Sequence, residues 1–219
     1  MIADKTRYKN ARADEREIVA VGDSHSLRCF ENHNRIADST FYHGRNRLDG
    51  KTAFKLADHD RRVQKILSPL MDKHLIFCFG EVDVRIHIKH QHIRTGTPIE
   101  SLIGRTAKRY TEYVRQLRNQ GHDVHVFNVV PTGDFRGLQF EGWKKKLTYP
   151  FITAFAERQK YTLLLNRQLR QYCDAGKIPF IDIYRHLIDD AGKRREELIY
   201  DFSHLNAKTA DILLEHYQF

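Results

Sequence analysis

The 219-residue chain is poor in cysteine, proline, glycine and long apolar runs, and each shortage excludes a class of protein. Its three cysteines, Cys29, Cys78 and Cys173, stand far apart and are odd in number. No pair has the spacing of a metal knuckle or a redox motif. Together with a polar start at Met1-Ile2-Ala3-Asp4-Lys5-Thr6-Arg7, this usage points to the cytoplasm rather than to a secreted, disulfide-stapled domain. Only 5 prolines and 12 glycines exclude collagen-like and low-complexity architectures. The longest unbroken apolar run, Leu75 to Phe79, falls far short of the ~20 residues that span a bilayer.

What is present suits a packed interior: 41% hydrophobic and 30% charged residues, with 13 Phe and 10 Tyr, which excludes a disordered chain. At ~150 residues per domain the length gives one domain, read as a loose polar arm over 1–16 and a single unit over 17–219. The 37 Lys and Arg against 28 Asp and Glu leave a charge of +9, which attracts anions without choosing among them. No zinc finger, aromatic RNA-binding signature or sustained basic stripe appears, so nucleic acid is not the expected partner.

Short β-branched or apolar runs alternate with helical periods. Glu17 to Val21, Ser39 to Tyr42, Leu75 to Phe79, Val124 to Val130 and Pro179 to Tyr184 read as strands. Ser26 to Ala37, Lys51 to Leu67, Phe151 to Cys173 and about Asn206 to His216 read as helices. The clearest helix is Glu100 to Gln120, where Ile103, Ala107, Tyr110, Val114 and Leu117 recur on one face and Gly121 marks the stop. That alternation predicts an α/β domain of three layers, α/β/α, around a mostly parallel sheet. The stretches 86–99 and 132–149 read as long irregular loops of the kind that carry function.

In open parallel sheets ligands bind beyond the carboxyl ends of the strands. Gly22-Asp23-Ser24-His25-Ser26, Gly80-Glu81-Val82-Asp83-Val84-Arg85 and Pro131-Thr132-Gly133-Asp134 follow strands, and Asp201-Phe202-Ser203-His204 precedes the last helix. Together they bring a hydroxyl, an imidazole and carboxylates to one edge. A serine hydroxyl needs a neighbouring base to become a nucleophile. Histidine suits that work near neutral pH, and a carboxylate on its other nitrogen sets the tautomer.

Gly22-Asp23-Ser24, the Gly-x-x-Asp turn at Gly80 to Asp83, and Asp-x-x-His at Asp201 to His204 resemble the SGNH, or GDSL-type, hydrolases, over a span from 18 to about 206. The resemblance implies a flavodoxin-like fold and ester hydrolysis without a cofactor or metal. It makes Ser24 the nucleophile, His204 the base and Asp201 the residue that orients it. It implies an oxyanion hole from the backbone N–H groups of Ser24, Gly50 and Val82, with Gly44 the rival of Gly50. Val82 stands where the family usually has Asn, and Gly80, Glu81, Asp83 and Arg85 instead resemble a subgroup with Gly-Glu-x-Asp-x-Arg. Asp23, Arg28, Glu81, Asp83 and Arg85 are the candidate substrate-binding residues, Arg28 and Arg85 as cations for an anionic group; Glu81, Asp83 and Arg85 equally suit a structural ion pair. The expected partner is a small-molecule or glycan ester, by resemblance an acyl or acetyl ester of a polar molecule.

Simpler readings stand beside this one. Asp23 and Ser24 are good helix caps, and Lys144-Lys145-Lys146 reads as a solvated face beside Trp143, a lid or packing aromatic. His87, His90 and His92 crowd near Asp83, so metal-dependent phosphoester hydrolysis is the first alternative. A non-catalytic glycan-binding or scaffolding module of the same fold is the second. The segment from Ile86 to Pro98, flanked by Arg85 and Arg94, is expected to cover the site.

Overall fold

The computed structural model describes residues 17–39, 48–134 and 153–219. Five parallel strands form one sheet in the order β2-β1-β3-β4-β5: β1 Ile18–Gly22, β2 Ile36–Asp38, β3 His74–Cys78, β4 Asp123–Phe127 and β5 Phe180–Ile181. This is the doubly wound, flavodoxin-like order, which reverses beside β1 and opens a crevice at the strands' carboxyl ends.

The pleat divides the strand residues between two cores. Val19, Val21, Leu75, Phe77, Val124 and Val126 face one layer of helices. These are α2 (Asp60–Leu67), α4 (Ile99–Asn119) and α5 (Phe155–Gly176). Ile18, Ala20, Ile76, Cys78 and Phe127 face the other, covered by α1 (Ser24–Phe30) and α6 (Lys208–His216). Burial on both faces explains why the strands read as continuous apolar runs. Helix α4 presents Ile103, Ala107, Tyr110, Val114 and Leu117 inward, as its period required. All three cysteines are buried and unpaired. Among the described residues no helix is long and apolar enough to cross a membrane.

Four local expectations change. The helix expected over 26–37 ends at Phe30, because Asn32 turns the chain with φ of 58°. The chain then enters β2 at Ile36–Asp38, three residues before the strand expected at Ser39; 40–42 lie outside the described residues. The stretch 86–99 is largely helical: Asp83–His87 forms a π-helical turn that runs into α3 (Ile88–Thr95) and ends at Gly96. Residues 53–59 form a 3-10 helix ahead of α2. The arm 1–16, Gly44, Trp143, the 144–146 lysines and most of the 132–149 loop lie outside the described residues.

Candidate active site

Strand β1 delivers its last residue, Gly22, against β3 so closely that a Cβ there would run into Cys78 O and the Ser26 side chain. Only glycine lets α1 start at that point. Asp23 caps the helix, its carboxylate accepting from the His25 N–H at 2.8 Å. Ser24 is therefore the first helical residue, where backbone N–H groups have no intrahelical acceptor.

Asp201 and His204 arrive on one tight turn before α6. The Asp201 carboxylate accepts the backbone N–H groups of Ser203 (2.7 Å) and His204 (2.8 Å). It also stands 2.9 Å from His204 Nδ1. His204 Nε2 then lies 2.9 Å from Ser24 Oγ. With Nδ1–H donated to Asp201, Nε2 is left as an acceptor for the Ser24 hydroxyl, so the chain can pass a proton from serine to imidazole. The turn is held from outside: Arg194 Nη2 donates to Phe202 O at 2.7 Å, and a Cβ at Gly133 would collide with both of these atoms.

Beneath the imidazole lies a buried charged layer. The His25 ring packs 4.6 Å from the His204 ring. His25 Nε2 is 2.8 Å and Arg85 Nε 3.0 Å from Glu81 Oε2. Neither N–H is aligned for a hydrogen bond on that oxygen, so the contacts act as charge pairing. Glu81 is 3% exposed. Burial would raise its carboxyl, but Arg85 and His25 hold it down at about 2. His25 is shifted upward: burial opposes its charge, and Glu81 and Asp23 overcome that. His204 is shifted downward, by burial and by the neighbouring His25 charge, against the upward pull of Asp201. Desolvation raises the Asp23 carboxyl to about 6.

The other expected site residues separate by position. Asp83 is fully buried and accepts from the backbone N–H groups of Ala53 (2.6 Å) and Phe54 (3.2 Å). It thus holds the chain that follows Gly50. Gly50 is exposed, in a left-handed turn with φ of 66°. Val82 is buried directly before the π turn. Arg28, one turn along α1 from Ser24, pairs with Glu31 Oε2 at 2.7 Å and lies over the exposed Tyr200 ring at 4.5 Å. His87 packs against Phe54, and His92 Nδ1 reaches Thr97 O. Among the described residues these histidines form no three-ligand group for a metal.

Three contributors carried little sequence signal. His25 stood in the first motif without an assigned role. Arg158 is buried and donates to Thr132 Oγ1 (3.0 Å), Gly133 O (2.8 Å) and Thr153 O, tying the loop after β4 to α5. Its position three and four residues before Tyr161 and Thr162, on the buried face, was the available clue. Arg194 sat in a Lys-Arg-Arg run with nothing to mark it.

The fold and this edge define an α/β hydrolase architecture. The sequence profile of the GDSL-like lipase/acylhydrolase family matches residues 34–212, most of the chain although beginning beyond Ser24, and the protein belongs to that family of ester hydrolases. No curated protein matches it by sequence. Among solved structures it is similar to a GDSL-like lipase from Bacteroides thetaiotaomicron, at 18% identity over 93% of this chain and 85% of that one, with a TM-score of 0.59. It is similar to the acetyl xylan esterase AlAXEase, at 14% identity over 90% and 98%, TM-score 0.54. It is also similar to the C-terminal domain of Drosophila Oskar, at 15% identity over 89% and 83%, TM-score 0.51. These likenesses concern the fold.

Proposed function

We propose that the protein hydrolyses acyl esters of polar small molecules or carbohydrates through Ser24, His204 and Asp201. The observation that carries this reading is the unbroken chain from Ser24 Oγ through the His204 ring to the Asp201 carboxylate, 2.9 Å at each step. Ser24 Oγ attacks the ester carbonyl carbon as its proton passes to His204 Nε2. The C–O bond of the tetrahedral intermediate breaks, and the departing alcohol takes that proton. Water then attacks the acyl-serine, gives a proton to Nε2, and releases the carboxylic acid as Ser24 Oγ recovers its hydrogen.

In this reading the Ser24 backbone N–H at the start of α1 meets the developing oxyanion, with those of Gly50 and Val82 as its partners; such a donor contributes about 3 kcal/mol. Arg28, paired with Glu31, and Tyr200, beside the Asp201 turn, give the mouth a polar rim suited to a hydroxylated alcohol portion. An acetylated sugar is the substrate class this rim favours, and the acetyl xylan esterase of the same fold is a precedent for it. A panel of acetylated sugars and short-chain aryl esters, with Ser24→Ala as the blank, tests the reading. Turnover confined to the unaltered protein supports it; a folded Ser24→Ala protein hydrolysing at the same rate overturns it.

A further inference from the structure

The opposite edge of the sheet carries a second histidine–aspartate cluster that ester hydrolysis does not use. His74 opens β3 and Asp123 opens β4, paired in register across the ladder. His125 lies two residues further along β4 and so on the same face as Asp123. His74 Nδ1 stands 2.6 Å and His125 Nε2 3.3 Å from the same oxygen, Asp123 Oδ2. All three ligand atoms lie within 4.8 Å of one another, and among the described residues this is the one such group of three.

We propose that His74, Asp123 and His125 bind a divalent transition-metal ion, Zn²⁺ by the chemistry of its donors, at the amino-terminal edge of the sheet. Two imidazoles and a carboxylate are a set that zinc accepts, with water completing the tetrahedron. Ligands at zinc distances stand about 3.3 Å apart. The His125–Asp123 contact already has that separation, and the His74–Asp123 contact needs only a small side-chain rotation at two half-buried residues.

The outer contacts fit the same role. The Tyr217 hydroxyl lies 2.8 Å from His125 Nδ1, fixing that ring with Nε2 toward the carboxylate. Arg118 Nη1 takes the other oxygen, Asp123 Oδ1, at 3.1 Å and leaves Oδ2 to the ion. Metal-bound imidazoles are regularly oriented by such partners. An open hollow of about 710 Å³, lined by His74, Tyr217, Phe219, Glu17 and Arg35, lies alongside and gives water access. Bound there, the ion would fasten β3, β4 and the segment after α6 at Tyr217.

The test uses the metal-stripped full chain carrying Ser24→Ala, so that its outcome does not depend on turnover. Zinc chloride is titrated against a chromophoric chelator, and cobalt(II) absorbance reports the geometry. One tight equivalent is expected, weakened about 10–100-fold by Tyr217→Phe and at least as much by His74→Ala and by Asp123→Asn. The stacked surface pair His186 and His216 is the main competitor, so His216→Ala must leave that equivalent intact. Zinc should raise the Tm of the parent and not of the His74→Ala protein. The proposal is overturned if no equivalent is tighter than those left in His74→Ala, or if the tight one disappears in His216→Ala.

Discussion

The two edges of the sheet hold the same residue types in different order. At the carboxyl edge a single imidazole stands between a carboxylate and a hydroxyl, so its two nitrogens have different partners and a proton can move one way. At the amino edge two imidazoles converge on one carboxylate oxygen, and the hydroxyl there, the Tyr217 phenol, holds only the outer nitrogen of His125. The first geometry suits transfer; the second suits a shared cation. The edges also differ in what lies beneath. The carboxyl edge rests on the buried Glu81 and His25 and the partly buried Arg85, whereas the amino edge opens onto a hollow.

The strongest way to break the comparison is to exchange the consequences of mutation. Ser24→Ala and His204→Ala should each reduce kcat/KM for an active ester by roughly 10⁴-fold or more, and the double variant should be little worse, since residues acting as a unit are not additive. His74→Ala should leave kcat/KM within about twofold, because His74 lies at the other end of strands that rise ~3.3 Å per residue. Comparable losses from His74→Ala and His204→Ala in steady-state assays would erase the distinction.

Next in size is the charged layer. Glu81→Gln leaves the buried His25 and the partly buried Arg85 without their counter-charge, and a loss of about 3–5 kcal/mol is expected in urea unfolding. The pH dependence has a definite sign. The Glu81 carboxyl titrates near 2 in the fold against 4.5 for the free group. Its contribution is therefore complete above pH 4.5 and is lost as the pH falls toward 2. Denaturation curves between pH 5 and 2 should show that loss in the parent and a flatter dependence in Glu81→Gln.

A smaller effect tests the seat of the turn. Gly133→Ala pushes a methyl group against Phe202 O and the Arg194 guanidinium, with about 1–3 kcal/mol of overpacking expected and a matching fall in kcat. Normal kcat and Tm would show that the loop yields. Smallest is the pH profile. With His204 shifted below 6.5 by burial and by His25, kcat/KM should rise with pH through an inflection below 6.5 and level off where the imidazole is neutral. His25→Gln removes the neighbouring charge, so that inflection should move upward.

These contrasts also show what could be read without coordinates. Strands buried on both faces announce themselves as apolar runs, so β1, β3 and β4 were visible, as was α4 from its spacing. Ser24, Asp201 and His204 were legible because each directly follows or precedes an element at one sheet edge. In contrast, Ile88-Lys89-His90-Gln91-His92 buries only Ile88, so α3 had no apolar stripe to reveal it. The three-residue β2 was hidden by the Asn32 turn. His74 and Asp123 are 49 residues apart and meet only through the β3–β4 register, which no local pattern encodes. Arg158 and Arg194 act through backbone carbonyls, which have no sequence signature.

The Asp83 clamp sets a rule of substitution. Its two oxygens each face a backbone donor, Ala53 N–H and Phe54 N–H, with no solvent to re-pair either. Burial pushes this carboxyl up to about 7 although both amides pull it down, and even when protonated each oxygen keeps a lone pair for its donor. Asparagine, the nearest in shape, would turn an amide NH₂ toward one of those N–H groups, donor against donor. In a saturation library, position 83 should therefore discriminate between two side chains of nearly equal volume, retaining aspartate and rejecting its amide. It would be a one-letter lock on the chain that leads from Gly50.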